Sequence, residues 1–134
     1  MIAGSGSVTT DVIRLSNLHC YLFEMINRSS ILVRVKQPYI DWAASLDDSG
    51  ILPTTSGEPS SYLIPECRSV EHAWELIEHV YANIFCSELF AWHTQESNWP
   101  KNRSFIMFKD WFDVTIASVV IDLCEGVIVD DDDV

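Results

Sequence analysis

The sequence predicts an α+β fold, a two-layer sandwich in which helices pack on one face of a small sheet of three or four strands. Three stretches carry this prediction: an amphipathic segment from Ser69 to His93, an alternating segment from Ile31 to Lys36, and an apolar, β-branched segment from Val114 to Leu123. Shorter segments complete the order β-α-β-α-α-β. A chain of 134 residues is long enough for one domain with its own hydrophobic core.

The first half of the chain reads as strand, helix, loop and strand. Residues 31–36 alternate apolar and polar side chains, which is typical of a half-buried strand. Pro38 ends that strand and is suited to the first turn of a short helix reaching Leu46. Residues 52–61 are rich in Pro, Gly and Ser, so we expect an exposed loop, either disordered or serving as a lid. A short strand follows at 61–65.

The segment from Ser69 to His93 predicts the long helix on which the fold is organised. Its apolar residues recur at spacings of three and four, whereas Glu71, Glu75 and other polar residues fall on the opposite side. Ser69 is positioned to cap the first turn, and Glu71 suits the positive end of the helix dipole. At 1.5 Å per residue the helix spans about 36 Å. We therefore expect Trp74, Ile77 and Tyr81 to face the core.

The second half continues with a turn region at 94–103, a second helix at 104–112 and the strand at 114–123. Because this last segment is the most apolar candidate strand, we expect it to be central in the sheet and covered on both faces.

The two ends of the chain lack this patterning. Residues 1–24 read as an extension that we expect to be disordered, with Met25 as a candidate start of the native protein. The patterned region, 25–126, is predicted to be one domain, and 127–134 an acidic tail.

Composition restricts the classes of partner. The net charge of −12 disfavours direct binding to nucleic acid, because such binding depends on cations that neutralise phosphate. The acidity serves either solubility or imitation of a nucleic acid. The four cysteines are scattered without metal-site spacing, and no signal peptide or membrane span is recognisable. We therefore predict a soluble cytoplasmic protein with reduced thiols.

Glu88 is the first candidate site residue, because its helical angle places a carboxyl group within the apolar stripe. A carboxyl group there is either paired or has a raised pKa, and the second case would suit a general acid in a pocket walled by Trp92. The alternative is an ion pair with Arg103, Lys109 or Arg34, or a helix end that leaves the core.

The turn region after the long helix is the second candidate. Trp92, Trp99, Lys101 and Arg103 could form a recognition surface, because tryptophan and arginine dominate binding hot spots. Alternatively, the two tryptophans close the end of the core.

A third group, His72, Glu75 and His79, shares one side of the long helix. The order H-x-x-E-x-x-x-H is not a zinc-protease motif, and this side is predicted to face water, so we predict no metal site. Nucleotide-binding and hydrolase motifs are also missing from the sequence, and no cofactor is expected.

Three blocks carry a resemblance: I-N-R-S-S-I-L-V-R-V-K-Q-P-Y-I-D-W, E-L-F-A-W-H-T-Q-E-S-N-W-P-K-N-R and F-K-D-W-F-D. The segment from Met25 to Leu123 resembles a family of small acidic bacterial hypothetical proteins, over about three quarters of the chain. The resemblance would explain a start near Met25. It implies no activity, cofactor or site residue.

Three hypotheses of function follow. The leading one is binding to an unidentified protein partner, or to a second copy in a homodimer. The alternative is a small enzyme or ligand-binding protein with a pocket near Glu88 and Trp92. The third is an acidic nucleic-acid mimic that blocks a basic partner.

Overall fold

The computed structural model of the protein describes residues 25–133. Within these residues three strands and three α-helices follow one another in the predicted order. We number them β1 (Arg28–Val35), α1 (Gln37–Ala44), β2 (Ser60–Pro65), α2 (Val70–Trp92), α3 (Phe105–Trp111) and β3 (Phe112–Ala117). Helix α3 passes directly into β3, because Trp111 is the last helical residue and Phe112 the first residue of the strand.

The three strands form one antiparallel sheet in the order β2-β1-β3, which confirms the predicted α+β class. Strand β1 is central: Val33 lies opposite Ser60 of β2 on one side and opposite Val114 of β3 on the other. The loop between α1 and β2 returns the chain beside β1 in the opposite direction.

The prediction that the last strand is central was wrong. Strand β3 lies at an edge of the sheet and ends at Ala117 rather than continuing to Leu123. Its polar residues Asp113 and Thr115 alternate with half-buried Val114 and Ile116, so only one face of the strand packs on the core. The error arose because the apolar character of 114–123 was taken as a sign of burial on both faces.

The hydrophobic core lies between one face of the sheet and the helices. Strand β1 contributes Ile31 and Val33, and α2 contributes Ile77, Phe85 and other residues of its apolar stripe. Both Ile77 and Phe85 are fully buried. Aromatic rings fill much of the remaining space, with Phe85 and Phe112 packed edge to face at a centroid distance of 5.1 Å.

The orientation predicted for α2 is confirmed. Glu71, Glu75 and Glu78 are exposed, while Trp74 and Tyr81 are half-buried against the core. The predicted cap is present, since the backbone N–H of His72 donates to Ser69 Oγ at 3.0 Å.

The described residues divide into two compact units, of which Arg28–Ser118 is the larger. The smaller includes 25–27 and 119–133, where the backbone N–H of Ile26 donates to the carbonyl of Val120 at 2.9 Å. The extension predicted for 1–24 lies outside the described residues. None of the helices in 25–133 combines the length and apolarity required to cross a membrane.

Candidate functional site

A cavity of about 410 Å³ opens within the larger unit. This volume falls in the range of sites for small ligands. Strands β1 and β2, helices α1 and α2 and the loop before β2 contribute to its walls. The described residues that line it are Val33, Val35, Tyr39, Leu52, Pro53, Thr54, Gly57, Glu58, Ser60, Glu88, Ala91 and Trp92.

Glu88 supplies the buried acidic group of this cavity. Its position on the apolar stripe of α2 makes it 7% exposed, as the helical angle predicted. The Tyr62 hydroxyl donates a hydrogen bond to Glu88 Oε2. The ion pair that the sequence left open as an alternative is not observed among the described residues, and the partner is this neutral hydroxyl.

The three cations that were candidate partners of Glu88 are directed elsewhere. Arg103 Nη1 donates to the carbonyl of Pro100 at 2.8 Å, and Lys109 Nζ lies 5.0 Å from the centroid of the Phe105 ring. Arg34 follows buried Val33 on β1, so its side chain points to the opposite face of the sheet. It lies opposite Asp113 of β3. These three side chains are therefore engaged with groups other than the Glu88 carboxylate.

Two tyrosines are hydrogen-bonded to Glu88. The Tyr39 hydroxyl donates to the backbone carbonyl of Glu88 at 2.6 Å, and the Tyr62 hydroxyl donates to its carboxylate. Burial, followed by the neighbouring Glu88 charge, raises the pKa of Tyr39. Burial and the hydrogen bond to Glu88 likewise raise the pKa of Tyr62. Both hydroxyls therefore retain their protons and act as donors.

Sequence reasoning missed both tyrosines. The signal for Tyr62 is strand alternation: it lies two residues before buried Ile64 and opposite Ile31, which places it on the core side of β2. Tyr39 lies in the first turn of α1 and is 3% exposed, but a short helix gives too few repeats to define its buried face.

The remaining walls are mainly apolar. Trp92, in the last turn of α2, is half-buried and borders the cavity, as do Leu52 and Pro53 of the loop predicted to be a lid. The backbone N–H of Gly57 bonds to the carbonyl of Thr54 at 3.1 Å, and a Cβ at this glycine would lie 3.2 Å from that oxygen. Glycine at 57 thus permits the tight turn that brings the loop to the cavity.

The turn that contains Trp99, Lys101 and Arg103 is built differently. Trp99 is 7% exposed, and its Nε1 donates to the carbonyl of His93 at 2.8 Å. The Arg103 guanidinium lies 5.8 Å from the centroid of the Trp99 ring. Lys101 is exposed, and its Nζ donates to the carbonyl of Ser97 at 3.1 Å. Of the five predicted site residues, Glu88 and Trp92 meet at the cavity and these three do not line it.

The histidines of α2 bond to nearby backbone. His72 Nδ1 accepts from the backbone N–H of Arg68 at 3.0 Å, and His79 Nδ1 lies 2.8 Å from the carbonyl oxygen of Glu75. Within the part of the chain that the structure describes, no three His, Cys, Asp or Glu side chains are grouped to hold a metal ion.

Comparisons with protein-family models, with curated proteins and with solved structures gave no match. The resemblance to a family of small acidic bacterial proteins therefore stays a prediction.

Proposed function

We propose that this protein binds a small molecule in the cavity beside Glu88 and Trp92. The observation that carries the proposal is a buried carboxylate on the wall of a ligand-sized cavity, with a single tyrosine hydroxyl as its partner among the described residues. This is the pocket hypothesis that the sequence offered as an alternative.

The energetic cost of burying Glu88 supports this proposal. A carboxylate has about four acceptor positions, and taking it out of water is unfavourable unless these positions are used. The Tyr62 hydroxyl fills one of them. An apolar residue at position 88 would continue the stripe of Ile84, Phe85 and Leu89 at no such cost. Departures of this kind from the folding pattern concentrate at functional sites.

The shape and walls of the cavity support the same proposal. Ligand sites combine a largely apolar lining with a few fixed polar groups that orient the ligand. Here Val33, Val35, Leu52 and Pro53 provide the apolar lining, and Tyr62 fixes the orientation of the carboxylate.

A screen of small organic fragments by two-dimensional NMR of the ¹⁵N-labelled full chain tests the proposal. We expect hits that shift the Trp92 indole signal and the amide signals of Leu52 and of residues 54–57. Substitution Ala91→Phe would fill the cavity from α2 and abolish these shifts, because Ala91 lines it. Ala82→Phe is the matched control, since Ala82 is exposed on α2 and does not line the cavity.

Two outcomes of this screen would overturn the proposal. The first is a screen without hits that shift the signals of the cavity. The second is a set of hits that bind the Ala91→Phe variant as tightly as the original protein.

The other hypotheses stay predictions. A protein partner or homodimer, an acidic mimic and a cytoplasmic location each depend on the sequence alone. For a protein partner the sharper variant is Lys101→Glu rather than Trp99→Ala, because Lys101 is exposed and Trp99 is buried. A general-acid role for Glu88 is likewise a prediction. No serine, threonine or cysteine of 25–133 is hydrogen-bonded to its carboxylate.

A further inference from the structure

We propose that the ligand of this cavity is a small organic amine, a protonated primary or secondary amine attached to a compact apolar group, whose ammonium N–H groups donate to Glu88. This inference depends on the proposed function and specifies the class of ligand that the cavity takes.

The charge of the cavity is the first argument. Glu58 and Glu88 both line it, and none of its described lining residues is a lysine, arginine or histidine. The whole chain carries a net charge of −12, which raises the local concentration of small cations and repels anions. An anionic ligand would find no positive partner in the described walls.

The end of helix α2 is the second argument. Ala91 and Trp92 belong to its last turn, where the backbone carbonyls give the helix its negative pole. This last turn contains no basic residue. The negative pole of the helix therefore lies at the part of α2 that lines the cavity and has no basic side chain of its own, so it would favour a bound cation in addition to the carboxylate.

The hydrogen-bonding capacity of Glu88 selects the type of cation. Its Oε2 accepts from Tyr62, whereas no described residue donates to its Oε1. A buried oxygen without a donor favours a ligand that carries an N–H group. A quaternary ammonium has the charge but no hydrogen to donate, so we expect it to bind more weakly than an amine of the same shape.

The apolar walls define the rest of the ligand. Val33, Val35, Leu52 and Pro53 surround the space next to the carboxylate, and the half-buried Trp92 ring offers a flat surface at its border. An aryl or short alkyl group attached to the amine would fill this space without requiring a polar partner.

A matched panel of four probes tests the inference, with dissociation constants measured by NMR titration or calorimetry on the full chain. The probes are phenethylamine, its neutral isostere 2-phenylethanol, the anion phenylacetate, and the trimethylated ammonium of phenethylamine. We expect phenethylamine to bind about tenfold or more tightly than 2-phenylethanol, with the trimethylated cation weaker and the anion weakest.

Two variants identify the group that makes the selection. Glu88→Gln keeps the shape and an acceptor for the Tyr62 hydroxyl, and we expect it to remove the preference for the amine over the alcohol. Glu58→Gln removes the same charge from the exposed carboxyl group of the lining and should change that preference less than threefold. If the Glu88→Gln variant does not fold, the dissociation constants of the four probes for the original protein still test the amine proposal.

The outcomes separate this inference from the proposed function. Binding of 2-phenylethanol or phenylacetate at the cavity as tight as that of phenethylamine overturns the amine proposal and leaves small-molecule binding intact. Equal loss of selectivity in both variants overturns the role of Glu88. If no probe and no neutral fragment binds at the cavity, both proposals fail.

Discussion

The cavity at Glu88 and the turn at Trp99 contain similar residues but use them differently. Both lie near the end of α2, and both combine an aromatic ring with a charged side chain. In the turn, the Trp99 indole and the Arg103 guanidinium donate to backbone carbonyls of the turn itself. In the cavity, Oε1 of Glu88 accepts no hydrogen bond from a described residue. The difference favours the cavity over the turn as the proposed site, because only in the cavity does the fold leave hydrogen-bonding capacity unused.

The largest expected effect comes from truncating the tryptophan of the turn. Trp99→Ala removes a ring that is 7% exposed together with its hydrogen bond to the carbonyl of His93. We expect the free energy of unfolding to fall by about 3–5 kcal/mol, as is typical for a buried aromatic residue. Denaturant unfolding measures this loss. A decrease below about 1 kcal/mol would contradict a structural role for Trp99.

The next effect tests how far the carboxylate depends on its one partner. Tyr62→Phe leaves the Glu88 carboxylate without the Tyr62 donor, and we expect a loss of about 1–3 kcal/mol in the free energy of unfolding. Tyr81→Phe is the matched control, because within 25–133 the structure shows no hydrogen bond from the Tyr81 hydroxyl; it should change stability by less than about 0.5 kcal/mol. Equal losses in the two variants would show that Glu88 does not depend on Tyr62.

A third prediction concerns alkaline pH. The raised pKa values of Tyr39 and Tyr62 mean that the folded protein keeps protons that the unfolded chain releases. Their contribution to stability is complete below the unfolded tyrosine pKa of about 10 and declines as the pH rises above it. We expect the unfolding midpoint in denaturant to fall from about pH 9 to about pH 11, and less steeply in the Tyr62→Phe variant. Identical slopes would contradict the burial of Tyr62.

The smallest expected effect is at the exposed cation of the turn. Lys101 donates to the carbonyl of Ser97 from an exposed position, so Lys101→Ala should change the free energy of unfolding by less than about 0.5 kcal/mol. It should also leave binding at the cavity unchanged, because Lys101 does not line it. Weaker binding of cavity ligands in this variant would show that the two regions are not independent.

Local periodicity was sufficient to predict most of the fold. The cap at Ser69, the inward stripe of α2 and the alternation of β1 are short-range features, and the structure confirms each of them. Strand order is a long-range property. The apolar character of 114–123 does not indicate whether this segment pairs with one strand or with two. The prediction therefore wrongly placed it at the centre of the sheet.

The site was predictable only in part, for a related reason. The helical angle of Glu88 indicated a buried carboxyl group, but its partner lies 26 residues earlier on β2. Sequence reasoning searched for a cation because a carboxylate is most often paired with one. Alternation along β2 indicates the face on which Tyr62 lies, but only the three-dimensional structure shows that this face brings the hydroxyl to Glu88.

The direct junction between α3 and β3 has a consequence for how the chain tolerates changes in length. No spacer separates Trp111 from Phe112, and the backbone N–H of Lys36 bonds to the Trp111 carbonyl at 2.8 Å. One inserted residue there would turn Phe112 outward and Asp113 inward, because successive strand residues face opposite ways. The loop between Ala44 and Ser60 is exposed over most of its length and has no such junction, so we expect it to tolerate a change of length better, at the side of the fold that borders the cavity.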